Sequence, residues 1–282
     1  MKRQITIRLA AFAMAIVSLA VTVFAVQQSK TEIKLPIIMY HHISKNFKAL
    51  GDYVISQKQF ESDIKYLKSQ GYTTINTSDL LNFVNDKKAP PPKPCMITFD
   101  DGFLSTAEYA LPLLKKYDMK AVVSIIGKEA QFYTETDDVN PEYAYINWQT
   151  AANLEKDGTL ELQCHTYNMH EIWPRKGCSQ KYGESEQDYS EALKSDIEEF
   201  QSKFSQSVGK RADAFTIPFG AYSKTTVGIL QKLGFNVIFT CTEKVNTLTG
   251  DPSELLLLGR YNRPSGITSA MFFEKILKEC ES

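Results

Sequence analysis

Residues from Lys34 onward predict an α/β protein, a distorted (β/α) barrel with seven or eight parallel strands and an active site at the C-terminal strand ends. Three observations lead there. Short apolar runs alternate with amphipathic helical stretches along the chain, and repeated βα units build parallel sheets. Ala121 to Ile126 is almost wholly apolar, as a strand covered on both faces must be. The residues able to do chemistry sit just past predicted strands, on the face where such barrels carry their sites. A doubly wound open sheet is the alternative, although no G-x-G-x-x-G or Walker sequence supports a nucleotide site.

The elements follow in order. Leu35 to Tyr40 reads as a strand. A helix starts near Ser56, where Ser56 and Gln59 form a capping-box pattern; Phe60, Ile64 and Leu67 give its stripe and Gly71 stops it. Tyr72 to Asn76 is a strand and Ser78 to Asn85 a short helix. Four prolines between Pro90 and Pro94 punctuate the approach to the strand Met96 to Phe99. A helix from Ser105 to Tyr117, the strand Ala121 to Ile126 and a loop rich in tyrosine and acids, Gln131 to Asn147, come next. Then follow helix Trp148 to Gly158, strand Leu160 to Cys164, a polar segment His165 to Gln187 and helix Asp188 to Phe204. The last elements are strand Ala214 to Ile217, helix Lys224 to Lys232, strands Asn236 to Cys241 and Leu255 to Gly259, and helix Ser269 to Lys278.

The first 29 residues are a separate matter. Lys2, Arg3 and Arg8 precede an apolar run, Leu9 to Val26, of 18 residues, near the lower end of the about 17–25 that span a bilayer. This reads as an uncleaved signal-anchor or as a signal peptide; the absence of a clean Ala-x-Ala site favours the anchor. The basic end would stay in the cytoplasm, leaving a domain over residues 30–282 outside, membrane-anchored or secreted. The 282-residue chain carries a net charge of −1, which excludes a polybasic nucleic-acid surface. The odd cysteine count and missing C-x-x-C spacing assign no cysteine a function.

Thr98-Phe99-Asp100-Asp101-Gly102 places two adjacent carboxylates at a strand end. They repel unless something positive neutralises them. A metal would do so and divide the work: one ligates, the other stays free as a base. Alone, the motif reads equally well as an Asp-Asp-Gly turn. The histidines tip the balance, because His41, His42, His165 and His170 all lie at or just beyond predicted strand ends. His165 and His170 are at i and i+5, about 140° apart on a helix, so they can converge only from a loop. Two imidazoles and a carboxylate bind zinc or another divalent cation and leave coordination positions open.

The Thr98 to Gly102 motif, His165-Thr166-x-x-x-His170 and Tyr40-His41 resemble the polysaccharide deacetylases, carbohydrate esterase family four. The nearer likeness is to the branch of bacterial poly-N-acetylglucosamine deacetylases, from about Lys34 to the C-terminus. The resemblance implies that Asp101, His165 and His170 hold the metal and that Asp100 is the general base. It implies that the Pro218-Phe219-Gly220 turn offers the Phe219 N–H to the oxyanion. Many relatives place an arginine two residues before that proline to support the base; here the position is Thr216, so the base must be held otherwise. Many also use a C-terminal histidine as acid, and none follows His170. In the N-acetylglucosamine branch a histidine after the first strand takes that role, which makes His41 the candidate and His42 its neighbour.

The expectation is therefore metal-dependent deacetylation of an N-acetylglucosamine-containing glycan by a monomer. Zinc is the first choice, with cobalt, nickel or iron as alternatives. A silent glycan-binding relative and an acetyl-ester hydrolase are the competing readings. Trp148 and Tyr133, Tyr143 and Tyr145 are candidate sugar platforms as well as ordinary packing, and Trp173, Arg175 and Lys176 could line a cleft past His170.

Overall fold

The computed structural model describes residues 32–281, so the predicted N-terminal anchor or signal lies outside the described residues. Among those described, no helix is long and apolar enough to cross a membrane. The main sheet has eight strands: β1 (Ile37–Tyr40), β2 (Thr73–Thr74), β3 (Pro94–Phe99), β4 (Ala121–Ile125), β5 (Leu160–Cys164), β6 (Ala214–Thr216), β7 (Val237–Phe239) and β8 (Tyr261–Asn262). Their order is β7-β6-β5-β4-β3-β1-β8, with β2 paired to the start of β3. Every pairing among them is parallel. Leu258 bridges Phe239 of β7, while Tyr261 and Asn262 pair with β1. One short segment thus touches both edges and closes a distorted (β/α) barrel; the open doubly wound sheet is excluded.

Alternation along the strands sorts side chains into two layers. Ile38, Tyr40, Ile97, Phe99, Val123 and Leu162 face out and pack beneath the helices in one buried cluster. Ile37, Met96, Val122, Ala214 and Val237 form a second buried cluster, which fills the barrel interior. Toward the C-terminal ends the inward positions turn polar. Thr98, Ser124, Gln163 and Thr216 are all buried there, and Ser124 and Thr216 join hydroxyls at 2.7 Å. Polarity inside the barrel therefore rises toward one rim.

Helices α1 (Gln57–Ser69), α2 (Thr77–Asp86), α3 (Leu111–Lys116), α4 (Gly127–Thr136), α5 (Trp148–Asp157), α6 (Glu186–Val208), α7 (Thr226–Lys232) and α8 (Ser269–Glu281) complete the fold. Ser56 caps α1 by accepting from the Gln59 N–H at 3.1 Å, but the Gln59 side chain reaches Pro264 O instead of closing the box. The reciprocal box is at α2, between Asn76 and Asp79.

Two expectations are corrected. The stretch from Gln131 starts inside α4 rather than in a loop, since Glu129 to Gln131 are good helix formers and Gln131 bonds Glu135 one turn on. The strand predicted over Leu255 to Gly259 lies further on, at β8. Asp251 and Glu254 form a capping box that turns Pro252–Leu255 into a 3₁₀ helix, which delays the extended segment.

Glu161 shows how a buried acid serves the scaffold. Projecting from β5, it accepts the Thr77 N–H at 2.7 Å and the Ser78 N–H at 3.2 Å, and both hydroxyls as well. A carboxylate at a helix N-terminus satisfies orphan donors and complements the dipole. Glu161→Gln should lower unfolding free energy by about 1.5–3 kcal/mol, the range for hydrogen bonds to a charged group. Turnover of the folded fraction should not change. Urea unfolding beside an activity assay checks both halves.

Candidate active site

The loops after β1, β3, β5 and β6 meet at the polar rim around an open cavity of about 710 Å³, a volume that admits a sugar ring. His41, Asp100, Asp101, His165, His170 and Phe219 all line it. Three of these loops bend through positive φ at non-glycine residues: Asp101 at 68°, Thr166 at 70° and Phe219 at 57°. A β-branched residue such as Thr166 rarely adopts that conformation, and such strain concentrates where geometry is functional. Gly102 follows Asp101 with φ of 82°, and a Cβ there would lie 2.7 Å from the Ile125 side chain. The Asp-Gly step is thus fixed both by conformation and by space.

Asp101, His165 and His170 converge. Their ligand atoms lie within 4.8 Å of one another. Asp101 Oδ1 is 3.5 Å from His165 Nε2 and 3.3 Å from His170 Nε2. The imidazoles are reached from a loop, as the i, i+5 spacing required, and their ring centroids are 4.9 Å apart. His165 Nδ1 is 2.8 Å from the Thr216 carbonyl. A carbonyl only accepts, so Nδ1 carries a proton, and Nε2 is the ring nitrogen on the Asp101 side. Asp101 Oδ1 is itself buried without a hydrogen-bond partner. A buried carboxylate oxygen with two imidazole nitrogens around it is a donor set that attracts positive charge, and a 2-His-1-carboxylate set fits a divalent cation.

The two histidines are perturbed in opposite directions. Burial lowers the basicity of His165, but the Asp101 contact and the Asp100 charge outweigh it and raise the net value. Burial and the neighbouring His165 push His170 down to about 4.

Asp100 is held differently. It is 3% exposed, and burial alone would raise its pKa. Arg260 outweighs that and holds the carboxyl well below the usual range. The guanidinium is fully buried and bidentate, with Nη1 donating to Oδ1 at 2.6 Å and Nη2 to Oδ2 at 2.8 Å. Nη1 also reaches Thr98 Oγ1, and Nε donates to Thr240 O. The sequence has no arginine at position 216, and Arg260 takes that place from a distant segment without any local motif to announce it. The available signal was a lone arginine closing the apolar run Leu255 to Gly259, since an arginine beside a buried strand needs a buried acid.

The two adjacent histidines part ways. His42 also lines the cavity, but its Nδ1 is engaged with Ser105 Oγ at 2.9 Å and its ring lies against Phe103. His41 Nδ1 is buried with no partner, and its ring meets Tyr53 edge-on at 4.8 Å. Burial lowers the His41 pKa against the opposing pull of Asp100 and Asp101. The Phe219 ring lies 4.5 Å from His170 and is 39% exposed, so the Pro218 turn borders the cavity.

Trp148 is not brought to the cleft. It is 6% exposed at the start of α5, its Nε1 donating to Gln131 and its ring set against Phe200; it is a core residue, because the helix start at Asn147 turns it inward. Of the tyrosines, Tyr145 stacks on Phe103 at 4.5 Å. Arg175 is tied down by Glu184, whereas Lys176 and Ile172 line the cavity.

Removing the Arg260 charge should be costly. Arg260→Met leaves Asp100 buried and unpaired, and breaking such a pair from one side costs about 3–5 kcal/mol. The double variant Asp100→Asn/Arg260→Met should recover a large part of that loss. A denaturant double-mutant cycle measures it, and additive losses would mean that the pair contributes nothing as a pair.

The polysaccharide deacetylase family model matches residues 87–238. The Bacillus subtilis protein YxkH is 28% identical over 204 residues, 72% of this chain and 63% of its own length. This chain therefore spans less than two thirds of that relative. A poly-beta-1,6-N-acetyl-D-glucosamine N-deacetylase of Staphylococcus epidermidis is 24% identical over 232 residues, 82% of this chain and 74% of that protein. Among solved structures, the Streptococcus pyogenes deacetylase PplD in complex with acetate shares the fold, with a TM-score of 0.70, 23% identity, and coverage of 89% of this chain and 100% of that one.

Proposed function

The chain belongs to the polysaccharide deacetylase family, and from that premise we propose that it hydrolyses the acetamido group of an N-acetylglucosamine-containing glycan. The observation that carries this reading is the convergence of Asp101, His165 and His170, with Asp100 and an unpartnered His41 lining the same cavity. The relative from Staphylococcus epidermidis, named for poly-beta-1,6-N-acetyl-D-glucosamine, points to an exopolysaccharide or a cell-wall polymer as the substrate class. Residues 30–282 would form the catalytic domain, outside the membrane, with residues 1–29 as anchor or signal.

Asp101, His165 and His170 would hold a divalent cation, zinc in the first instance, which supplies Lewis-acid polarisation of the acetyl carbonyl and a lowered pKa for water. The Thr216 carbonyl fixes the tautomer of His165, so that Nε2 is free to ligate. Asp100, kept ionised by Arg260, takes the proton of the attacking water; each of its oxygens keeps a lone pair beyond the one given to the guanidinium. The Phe219 N–H faces the developing oxyanion. In this scheme His41 enters as the imidazolium, gives its proton to the departing amine and is left neutral, while the proton on Asp100 goes to solvent; an imidazole near neutral pH can cycle between the two forms.

One observation favours a variation on this scheme. Both oxygens of Asp100 are already bonded to Arg260, which makes it a weak base, while burial keeps His41 neutral. His41 could then take the water proton and pass it to the amine, leaving Asp100 to orient and neutralise.

Two experiments test these roles. Chelation should abolish acetate release from acetylated glucosamine oligomers, and added zinc or cobalt should restore it. Asp101→Asn should lose bound metal as well as turnover, whereas Asp100→Asn should keep its metal and lose about 10²–10⁴-fold in rate, the range for general-base removal. If Asp100→Asn lost metal in step with activity, Asp100 would be a ligand. A loss well below that range would assign the base to His41.

His41→Ala should cut amide turnover strongly at unchanged metal content. Its effect should shrink on activated acetate esters, whose leaving groups need no proton. His42→Ala should act through stability, because it releases Ser105. Equal losses from His41→Ala on amide and activated ester would count against an acid role.

A further inference from the structure

The site described above has a counterpart on the other side of the sheet. Strand alternation means that the residue before an inward-facing one faces out. Behind His41 stands Tyr40, behind Asp100 stands Phe99, and three residues after Arg260 comes Arg263. These outward residues form one buried cluster with α1. Tyr40 stacks on Phe99 at 5.4 Å and meets Phe60 edge-on at 5.1 Å. Its hydroxyl donates to Asp63 Oδ2 at 3.1 Å. Arg263 grips the same carboxylate with Nε and Nη2, both at 2.9 Å. Its remaining donors go to Pro264 O and Ile267 O, and its guanidinium lies 4.8 Å from the Phe272 ring centre. The side chains of Asp63 and Arg263 are completely buried.

A fully buried ion pair is a poor way to gain stability, since apolar residues of similar volume often do as well or better. What it supplies is register: a bidentate fork accepts one geometry, whereas an apolar contact can slide. The backbone shows which register is held. The Arg263 N–H donates to Met39 O at 3.0 Å, which locks the closing segment against β1. The fork then ties that segment to α1, and the tyrosine hydroxyl ties β1 to the same carboxylate.

We propose that Tyr40, Asp63 and Arg263 form a positioning clamp that sets where His41 and Arg260 stand around Asp100. The clamp touches no reacting atom. It acts through the backbone, by fixing the step from Tyr40 to His41 and the step from Arg260 to Arg263. A slip of the closing segment would withdraw the Arg260 guanidinium from Asp100, and misplacements of about 1 Å can cost 10²-fold in rate. The inference rests on the deacetylase reading for its kinetic consequence but not for its structural one.

The test uses the full chain and three variants. Tyr40→Phe keeps the ring packing and deletes one hydrogen bond. Arg263→Lys keeps the charge and loses the fork. Asp63→Leu/Arg263→Met replaces the pair by apolar groups and leaves no unpaired charge, so it should fold where single deletions fail. Two quantities are read on folded, metal-loaded protein: kcat and KM for acetate release, and the Arg260 Nε–H resonance in ¹⁵N spectra, assigned through Arg260→Lys. The expected result for the double variant is a kcat loss of up to about 10²-fold at unchanged KM and metal content. The Arg260 signal should shift or broaden as its carboxylate contact loosens. Arg263→Lys should show an intermediate loss and Tyr40→Phe the smallest, in the same direction. Wild-type kcat together with an unchanged Arg260 signal in Tyr40→Phe and in either folded pair variant would overturn the clamp. If the wild-type chain releases no acetate from any glycan, the deacetylase reading fails, and the Arg260 resonance still decides the clamp.

Discussion

Arg260 sits in the barrel wall with no exposed side-chain surface, both of its terminal nitrogens on the Asp100 carboxylate. Much of the rim depends on this pair. Two aspartates in sequence cannot both be buried and ionised without compensation, and Asp100 receives its compensation entirely from the protein. Asp101 does not. Its Oδ1 is buried without a hydrogen-bond partner and faces Nε2 of both His165 and His170, a donor set that fits a cation. Adjacent carboxylates thus acquire different chemistry because one has an arginine and the other has histidines.

The same pair requires the barrel to close. Arg260 lies on the segment that bridges β7 through Leu258 and pairs with β1 through Tyr261 and Asn262. In an open sheet its guanidinium would have no path to the end of β3. Closure also explains the polarity of the interior. Apolar residues fill the lower layers, hydroxyls and amides form the next, and ionisable groups crown the rim, where water and substrate can enter.

Backbone strain is distributed in keeping with this. Positive φ at Asp101, Thr166 and Phe219 turns each loop over the cavity within two or three residues of a strand end. A scaffold with two close-packed apolar layers can hold such conformations. The cluster of Tyr40, Phe99, Asp63 and Arg263 behind the rim is part of that support, and all four residues are buried.

Much of this was legible in the sequence. Apolar alternation and βα repetition predicted the barrel, because strand and helix periodicity are local properties. The Thr98 to Gly102 motif and the spaced histidines named the rim residues, because each loop carries its own strand-end signal. What the sequence could not contain was pairing across the closed barrel. Asp100 and Arg260 are 160 positions apart, and neither local periodicity nor motif spacing connects them. Nor could it separate His41 from His42, since only the fold shows that Ser105 engages Nδ1 of one ring and leaves Nδ1 of the other without a partner. Trp148 had the composition of a sugar platform and proved to be core, because the direction of a helix start is set by tertiary packing. The sequence by itself determined which ionisable groups are present and at which strand ends; only the closed barrel decided which groups meet, because closure alone brings residues distant along the chain within hydrogen-bonding reach.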